Sequence, residues 1–147
     1  MYRILGGETQ VFIVHPGGPF WKNKDEGAWS IPKGEYSLSE NALDCAIREF
    51  GEETGQKASG EFIPLEPVKL KSGKVIYAWI VNGNADTENI ISNTVEIEWP
   101  PRSGRMISIP EVDRALWCTL AEANVKLNAG QRPLLAQLER YLRSKRS

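Results

Sequence analysis

The chain has 147 residues, 41% of them hydrophobic and 25% charged, with a formal net charge of −1. That length suits a single domain, which buries about two-thirds of the surface its unfolded chain would expose. A net charge this close to zero sets up no global field that would draw the protein onto nucleic acid or a membrane. The sequence holds neither an apolar run near the ~18 residues a membrane span needs nor a charged-then-apolar leader, so a cytoplasmic protein is expected.

In chain order, Val11 to Val14 is a β-branched and aromatic run that predicts a buried strand, closed by the turn residues His15 to Pro19. His15, the only histidine, is expected to be a hydrogen-bonded strand-end residue. A loop then leads to a short extended piece at Trp29 to Pro32. From Ser39 to Thr54 the pattern turns helical, with Ser37 as a candidate cap and Gly55 as the stop. Glu61 to Leu65 predicts a strand, and Val68 to Leu70 with Val75 to Val81 predicts a hairpin around Lys71 to Lys74. Thr94 to Trp99 alternates, which predicts a half-buried strand with Val95, Ile97 and Trp99 inward. Pro100 to Arg105 reads as a loop and Ala115 to Cys118 as another short strand. Two helices follow, Leu120 to Leu127 and Pro133 to Arg143, the second with Leu134, Leu135, Leu138, Tyr141 and Leu142 on one face. The basic tail residues, from Arg140 onward, fit a solvated helix end. Cys45 and Cys118 lack metal-ligand spacing and sit among apolar neighbours, so two buried, reduced thiols are expected. Strands before, between and after helices predict an α/β arrangement, a sheet covered by helices on both faces.

The helix from Ser39 buries Leu43, Ile47 and Phe50 along one stripe. Its last turn is unusual: Glu49, Glu52 and Glu53 stand at i, i+3 and i+4, where carboxylates share one patch and repel by a few tenths of a kcal/mol per pair, on the order given for such spacings. They also crowd the negative end of the helix dipole, where a stabilising sequence places Lys or Arg. Arg48 offsets part of this charge. A solvated acidic face is one reading; a divalent cation is the other, and an all-oxygen donor set suits Mg²⁺ or Mn²⁺ better than zinc.

The spacing of the segment extends that argument. Gly34, five residues, Glu40, seven residues and then Arg48-Glu49-Phe50-Gly51-Glu52-Glu53-Thr54-Gly55 resembles the Nudix box of Nudix hydrolases over residues 34–56. Gln56 departs from it, standing where an aliphatic residue is usual. The lead-in Trp29-Ser30-Ile31-Pro32-Lys33-Gly34 resembles that of Nudix enzymes cleaving diadenosine polyphosphates. Glu111, six residues before Trp117, is similar in placement to an acidic residue outside the box. The stretches Gly17 to Trp21 and Trp99 to Arg105 resemble a small bacterial pyrophosphohydrolase-like group of the same family. Family members usually carry a small-residue stretch ahead of the equivalent of Tyr2-Arg3, so the native start is expected to lie upstream of Met1.

The resemblance implies a single Nudix domain over residues 1–147, a mixed β-sheet between helices (α/β/α), and Mg²⁺-dependent cleavage of a diphosphate linkage. Carried over by position, Glu49, Glu52, Glu53 and the Gly34 carbonyl are the implied metal ligands, with Glu111 a further one. Arg48 would orient the cluster, Glu40 would pair across the box and Gly55 would end the helix. For the general base, Glu52, Glu49 and Glu111 all stay open. Lys33, Arg102 and Arg105 are candidate phosphate contacts. Trp21 and Tyr77 are candidate platforms for a base, although core packing is expected for Tyr77 and Trp99, and Trp21 is placed as a loop lid. The implied substrate is a small nucleoside diphosphate derivative, diadenosine polyphosphate first and nucleoside triphosphate next. Capped RNA and diphosphoinositol phosphates fit less well, because both favour more positive charge; no nucleic-acid or membrane partner is expected. The protein would act as a monomer or homodimer. The rival reading is a Nudix-fold module that senses a nucleotide without turning it over; such modules usually lose box glutamates, and all three are present here.

Overall fold

The computed structural model describes residues 1–33 and 40–146. In chain order its elements are β1 (Tyr2–Leu5), β2 (Glu8–Pro16), α1 (Ala42–Thr54), β3 (Ile63–Pro64), β4 (Val68–Lys69), β5 (Val75–Ile76), β6 (Trp79–Ile80), β7 (Thr94–Glu98), β8 (Met106–Pro110), β9 (Val112–Thr119), α2 (Leu120–Lys126), a single 3₁₀ turn at Ala129–Gln131, and α3 (Arg132–Arg146). Strands β1, β2 and β9 form an antiparallel sheet in the order β1-β2-β9. Gly6 and Gly7 make the β1–β2 turn with φ of 60° and 79°, a two-residue connection open to glycine and matched to strand twist. Parallel pairing enters through single bridges, Tyr2 to Asn82 and Trp29 to Leu127.

Alternation along β2 divides the core in two. Val11 and Ile13 join Trp29, Cys118, Ala123, Leu127, Leu135 and Leu138 on the face covered by α2 and α3. Phe12 and Val14 turn the other way, onto Phe50 of α1, Val112 and Ala58. Phe12 meets Phe50 at 5.7 Å and Trp117 at 5.4 Å between ring centroids. The sheet is therefore sandwiched between helices, as the strand–helix alternation predicts. Each fully buried side chain of this size contributes roughly 1.5–3 kcal/mol relative to leaving it in water.

Several boundaries differ from the sequence reading. The first helix begins at Ala42 rather than Ser39, because Asn41 caps it by accepting from the Asp44 N–H at 2.8 Å; Ser37 lies outside the described residues. Strand β2 runs on through His15 and Pro16, past the expected turn, because β9 offers pairing partners that far. The run from Val75 to Val81 splits into β5 and β6, which pair with different strands. Thr94 to Glu98 does form a strand, but it is mostly exposed: among the described residues it pairs with β8 alone, and neither core cluster includes its apolar side chains. β8 itself, from Met106 to Pro110, is an element the sequence reading leaves out. Cys45 and Cys118 are both buried and unbridged, and burial pushes the Cys118 thiol up to about 11.

Candidate active site

The carboxylates at the end of α1 are gathered by one guanidinium. Arg48 Nη2 lies 2.6 Å from Glu40 Oε1, and its Nη1 lies 3.0 Å from both Glu49 Oε1 and Glu52 Oε2. Glu40 thus pairs across the segment and Arg48 orients two of the three helix glutamates. The Arg48 hydrogen bonds hold the Glu40 carboxyl below its ordinary range, and Glu40 in turn raises Arg48. No basic residue occupies the last turn of α1 to answer the dipole.

Glu53 points the other way, into the protein. It is 6% exposed, and its Oε1 accepts from the Lys33 N–H at 2.6 Å. Burial pushes its carboxyl up to about 7; the negative charges of Glu111 and Glu49 add to that, while Lys33 opposes it. Glu49 is raised as well, first by burial and then by Glu52, with Glu111 contributing again. Glu111, fifty-eight residues further along the chain than Glu53, therefore lies within electrostatic reach of both.

Main-chain bonds fix that placement. The Asn93 N–H donates to the Glu52 carbonyl at 2.7 Å, and the Asn93 carbonyl accepts from the Glu111 N–H at 2.9 Å. Ile91 N–H donates to the Thr54 carbonyl at 3.0 Å beside it. The helix end and the start of β9 are joined by a backbone strut through residue 93, which the sequence reading misses. No local periodicity signals it, since both bonds use peptide groups.

Glu49, Glu52, Glu53 and Glu111 offer only oxygens, the hard donors that Mg²⁺ and Mn²⁺ take. Arg48 and Lys33 offset only part of what raises Glu49 and Glu53, and a cation would relieve the repulsion that Glu111 adds. The set fits in chemistry. In position, Arg48 holds Glu49 and Glu52, and among the described residues no three Asp, Glu, His or Cys side chains stand close enough together to hold a metal. Gly34, whose carbonyl is the expected fifth donor, lies outside the described residues.

The remaining candidates separate. Lys33 meets the cluster through its backbone N–H, and its side chain is exposed. Arg102 and Arg105 sit at the exposed tip of the β7–β8 arm, where the Arg102 N–H donates to Glu98 at 2.6 Å; among the described residues no hydrogen bond or ion pair joins either to the glutamates of α1. Tyr77 is 58% exposed, against the core packing expected of it, because the chain breaks between β5 and β6 at that residue. Trp99 is half-buried and belongs to neither core cluster. Trp21, expected as a lid, is half-buried and packs against the α2/α3-side core, edge-on to Phe20. His15 is fully buried and hydrogen-bonded at both ring nitrogens, to Asp113 and the Lys24 carbonyl. Gln56, the departure from the box, exchanges two hydrogen bonds with the Asp86 backbone, each 2.7 Å. An amide here replaces apolar packing with a polar tether.

A family model for the NUDIX domain matches residues 1–138. The mRNA decapping complex subunit 2 of Schizosaccharomyces pombe is 33% identical over 81 residues, 52% of this chain; the match spans only 11% of that protein. Among solved structures, a C. elegans Ap4A hydrolase binary complex aligns with a TM-score of 0.64 at 20% identity, over 97% of this chain and 94% of the other. The NUDIX domain of Shewanella oneidensis NrtR, complexed with ADP ribose, aligns with a TM-score of 0.63 at 16% identity, over 96% and 82%. At those identities the likeness bears on the fold, and it agrees with the helix–sheet–helix layering. With the domain match covering nearly the whole sequence, from β1 into α3, this chain belongs to the NUDIX domain family.

Proposed function

We propose that this chain is a Mg²⁺-dependent Nudix pyrophosphohydrolase that cleaves the diphosphate linkage of a small nucleoside diphosphate derivative, diadenosine polyphosphate before nucleoside triphosphate. The observation that supports the reading is the acidic last turn of α1, where burial and neighbouring carboxylates, Glu111 among them, raise Glu49 and Glu53, a repulsion that a divalent cation would relieve. Glu49, Glu52, Glu53 and Glu111, with the Gly34 carbonyl, would hold the ion. When bound, such an ion neutralises phosphate oxygens and the charge that builds on the leaving group.

The chain's own residues do the rest. Arg48 keeps Glu49 and Glu52 on one side of the helix end, and the Lys33 N–H holds Glu53. Glu53, with its carboxyl pushed up to about 7, and Glu49, also raised, are carboxylates that take a proton more readily than an exposed one would. Glu52, Glu49 and Glu111 are the candidates for accepting the proton from the attacking water. Lys33, Arg102 and Arg105 are proposed phosphate contacts, and Tyr77 and Trp21 proposed contacts to the base.

The deciding assay incubates the protein with diadenosine polyphosphates, nucleoside triphosphates, ADP-ribose and capped RNA, with and without Mg²⁺ or Mn²⁺, and separates products by chromatography. Turnover that needs the metal is expected, fastest on a diadenosine polyphosphate. Nucleotide binding without turnover across the panel would instead favour the sensing module, a reading that the ADP ribose held by the structurally similar NrtR domain keeps in play.

A further inference from the structure

The face of the sheet opposite α1 carries a second concentration of charge. Arg114 pairs in register with His15, and so shares the face of Ile13 and Trp29, while its neighbour Ala115 turns toward Phe50 of α1. Beneath Arg114 a depression of about 510 Å³ is lined by Lys22, Lys24, Asp25, Trp29 and Lys126 among others. Four cations, Lys22, Lys24, Arg114 and Lys126, line it with one carboxylate, Asp25; Asp113, whose Oδ1 lies 3.6 Å from Arg114 Nε, is a second, so four positive and two negative charges leave a local formal charge of +2 in a chain whose net charge is −1.

Its frame is set by buried bonds. His15 Nε2 lies 2.7 Å from the Lys24 carbonyl, and Nδ1 lies 2.9 Å from Asp113 Oδ1. This ties the lysine-bearing segment to β9. The Trp29 indole, 4% exposed, donates to Asp25 Oδ1 at 2.7 Å, and Asp25 holds Lys126 Nζ at 2.9 Å. Arg114 Cζ and Lys126 Nζ stand 5.3 and 5.7 Å from the Trp29 ring centroid. Among the described residues Lys22 and Lys24 make no ion pair, and the Lys24 Nζ lies 3.5 Å from the Phe20 ring centroid. Cations held together around an aromatic floor, with too little counter-charge, suit an anion carrying several negative oxygens.

We propose that this depression binds the diphosphate group of a small anion, free pyrophosphate or the phosphate chain of a nucleotide, at a site separate from the α1 glutamates. The volume accommodates a nucleotide-sized ligand, and the surplus of positive charge complements that of a diphosphate. Because the two sites lie on opposite faces of the sheet, the second one requires neither the glutamates nor a metal.

The test is calorimetric titration with pyrophosphate, ADP and adenosine in EDTA, together with the indole N–H resonance of Trp29 as a local reporter. Pyrophosphate and ADP should both bind, shift the Trp29 resonance and lose at least about tenfold in affinity on Arg114→Glu or Lys22→Glu. Adenosine should not bind, and Glu52→Gln should leave pyrophosphate affinity unchanged. Lys22 is exposed, so Lys22→Glu keeps the test valid if Arg114→Glu fails to fold. The proposal is overturned by any of three results: no pyrophosphate binding in EDTA, binding that leaves Trp29 unmoved, or affinities indifferent to Lys22→Glu. Failure here leaves the glutamate site untouched, since metal-dependent turnover is measured separately.

Discussion

Helix α2 opens on Thr119, whose hydroxyl accepts from the Glu122 N–H at 3.1 Å while the Glu122 carboxylate accepts from the Thr119 N–H at 2.9 Å. It carries its acid in the first turn and Lys126 in the last, each at the end of the dipole that favours it. Helix α1 also starts conventionally, on Asn41, but its last turn places Glu52 and Glu53 beside Glu49 at the negative end with no base in that turn; Arg48 pairs with Glu49 and Glu52 and leaves Glu53 to the Lys33 N–H. The two helices pack against one sheet in one chain, so the difference does not come from solvent or composition. A helix that serves only the fold settles its charges internally. Under the function proposed above, the charges that α1 leaves unsettled are those a bound cation would answer.

Replacing a carboxylate at the unsettled end should cost function and spare stability. Glu53→Gln or Glu52→Gln is expected to lower kcat by about 10³-fold or more, on the scale of losing a catalytic electrostatic contact, with the melting temperature unchanged or raised. For Glu53 the rise follows from removing a charge that burial penalises. Near wild-type turnover in either variant would remove that residue from the ligand set. Arg48→Ala comes next: with the grip on Glu40, Glu49 and Glu52 gone, metal affinity or activity should fall about 10–100-fold, as when residues orienting metal ligands are lost. A titration of Mg²⁺ against rate would show the loss as a higher metal requirement.

The smaller effects fall on stability. Gly55 ends α1 at φ 76°, and a Cβ there would come within 2.9 Å of the Ile91 carbonyl oxygen. Gly55→Ala should therefore destabilise by about 2 kcal/mol, read as a shift in the urea midpoint, and should also disturb activity because Ile91 lies beside the strut to Glu111. At the settled end, Thr119→Ala should cost about 1 kcal/mol with kcat unchanged. Should Thr119→Ala impair catalysis as much as Arg48→Ala, the division between the two helices would be mistaken.

How far the sequence reveals all this depends on how local each feature is. The face of α3, the box spacing and the apolar stripe of α1, in which Phe50 is buried and Leu43 and Ile47 are half-buried, lie within single elements, and repeat distances expose them. So does the conflict between Glu49, Glu52, Glu53 and the dipole. The β7–β8 arm is harder to read: Met106 to Pro110 alternates only briefly and ends in proline, and alternation in Val95 and Ile97 tells nothing of whether a core stands behind them. Tyr77 sits in a run that looks like one strand but serves two different partners. His15 is recognisable as a hydrogen-bonded residue, yet its partner Asp113 is 98 residues away and no pattern joins them. Glu111 is found by resemblance to a family; its nearness to Glu53 is a matter of tertiary structure.

The spacer at Asn93 holds the end of α1 and the start of β9 at a set separation using peptide groups alone, the N–H toward Glu52 and the carbonyl toward Glu111. Such a brace is indifferent to spelling. Nearly any residue could stand at 93 and keep the carboxylates where they are, with proline the exception because it has no N–H to give. The distance between two parts of the site is thus stored where drift in side-chain identity does not erase it, and the surface around it is left free to change which substrate is admitted.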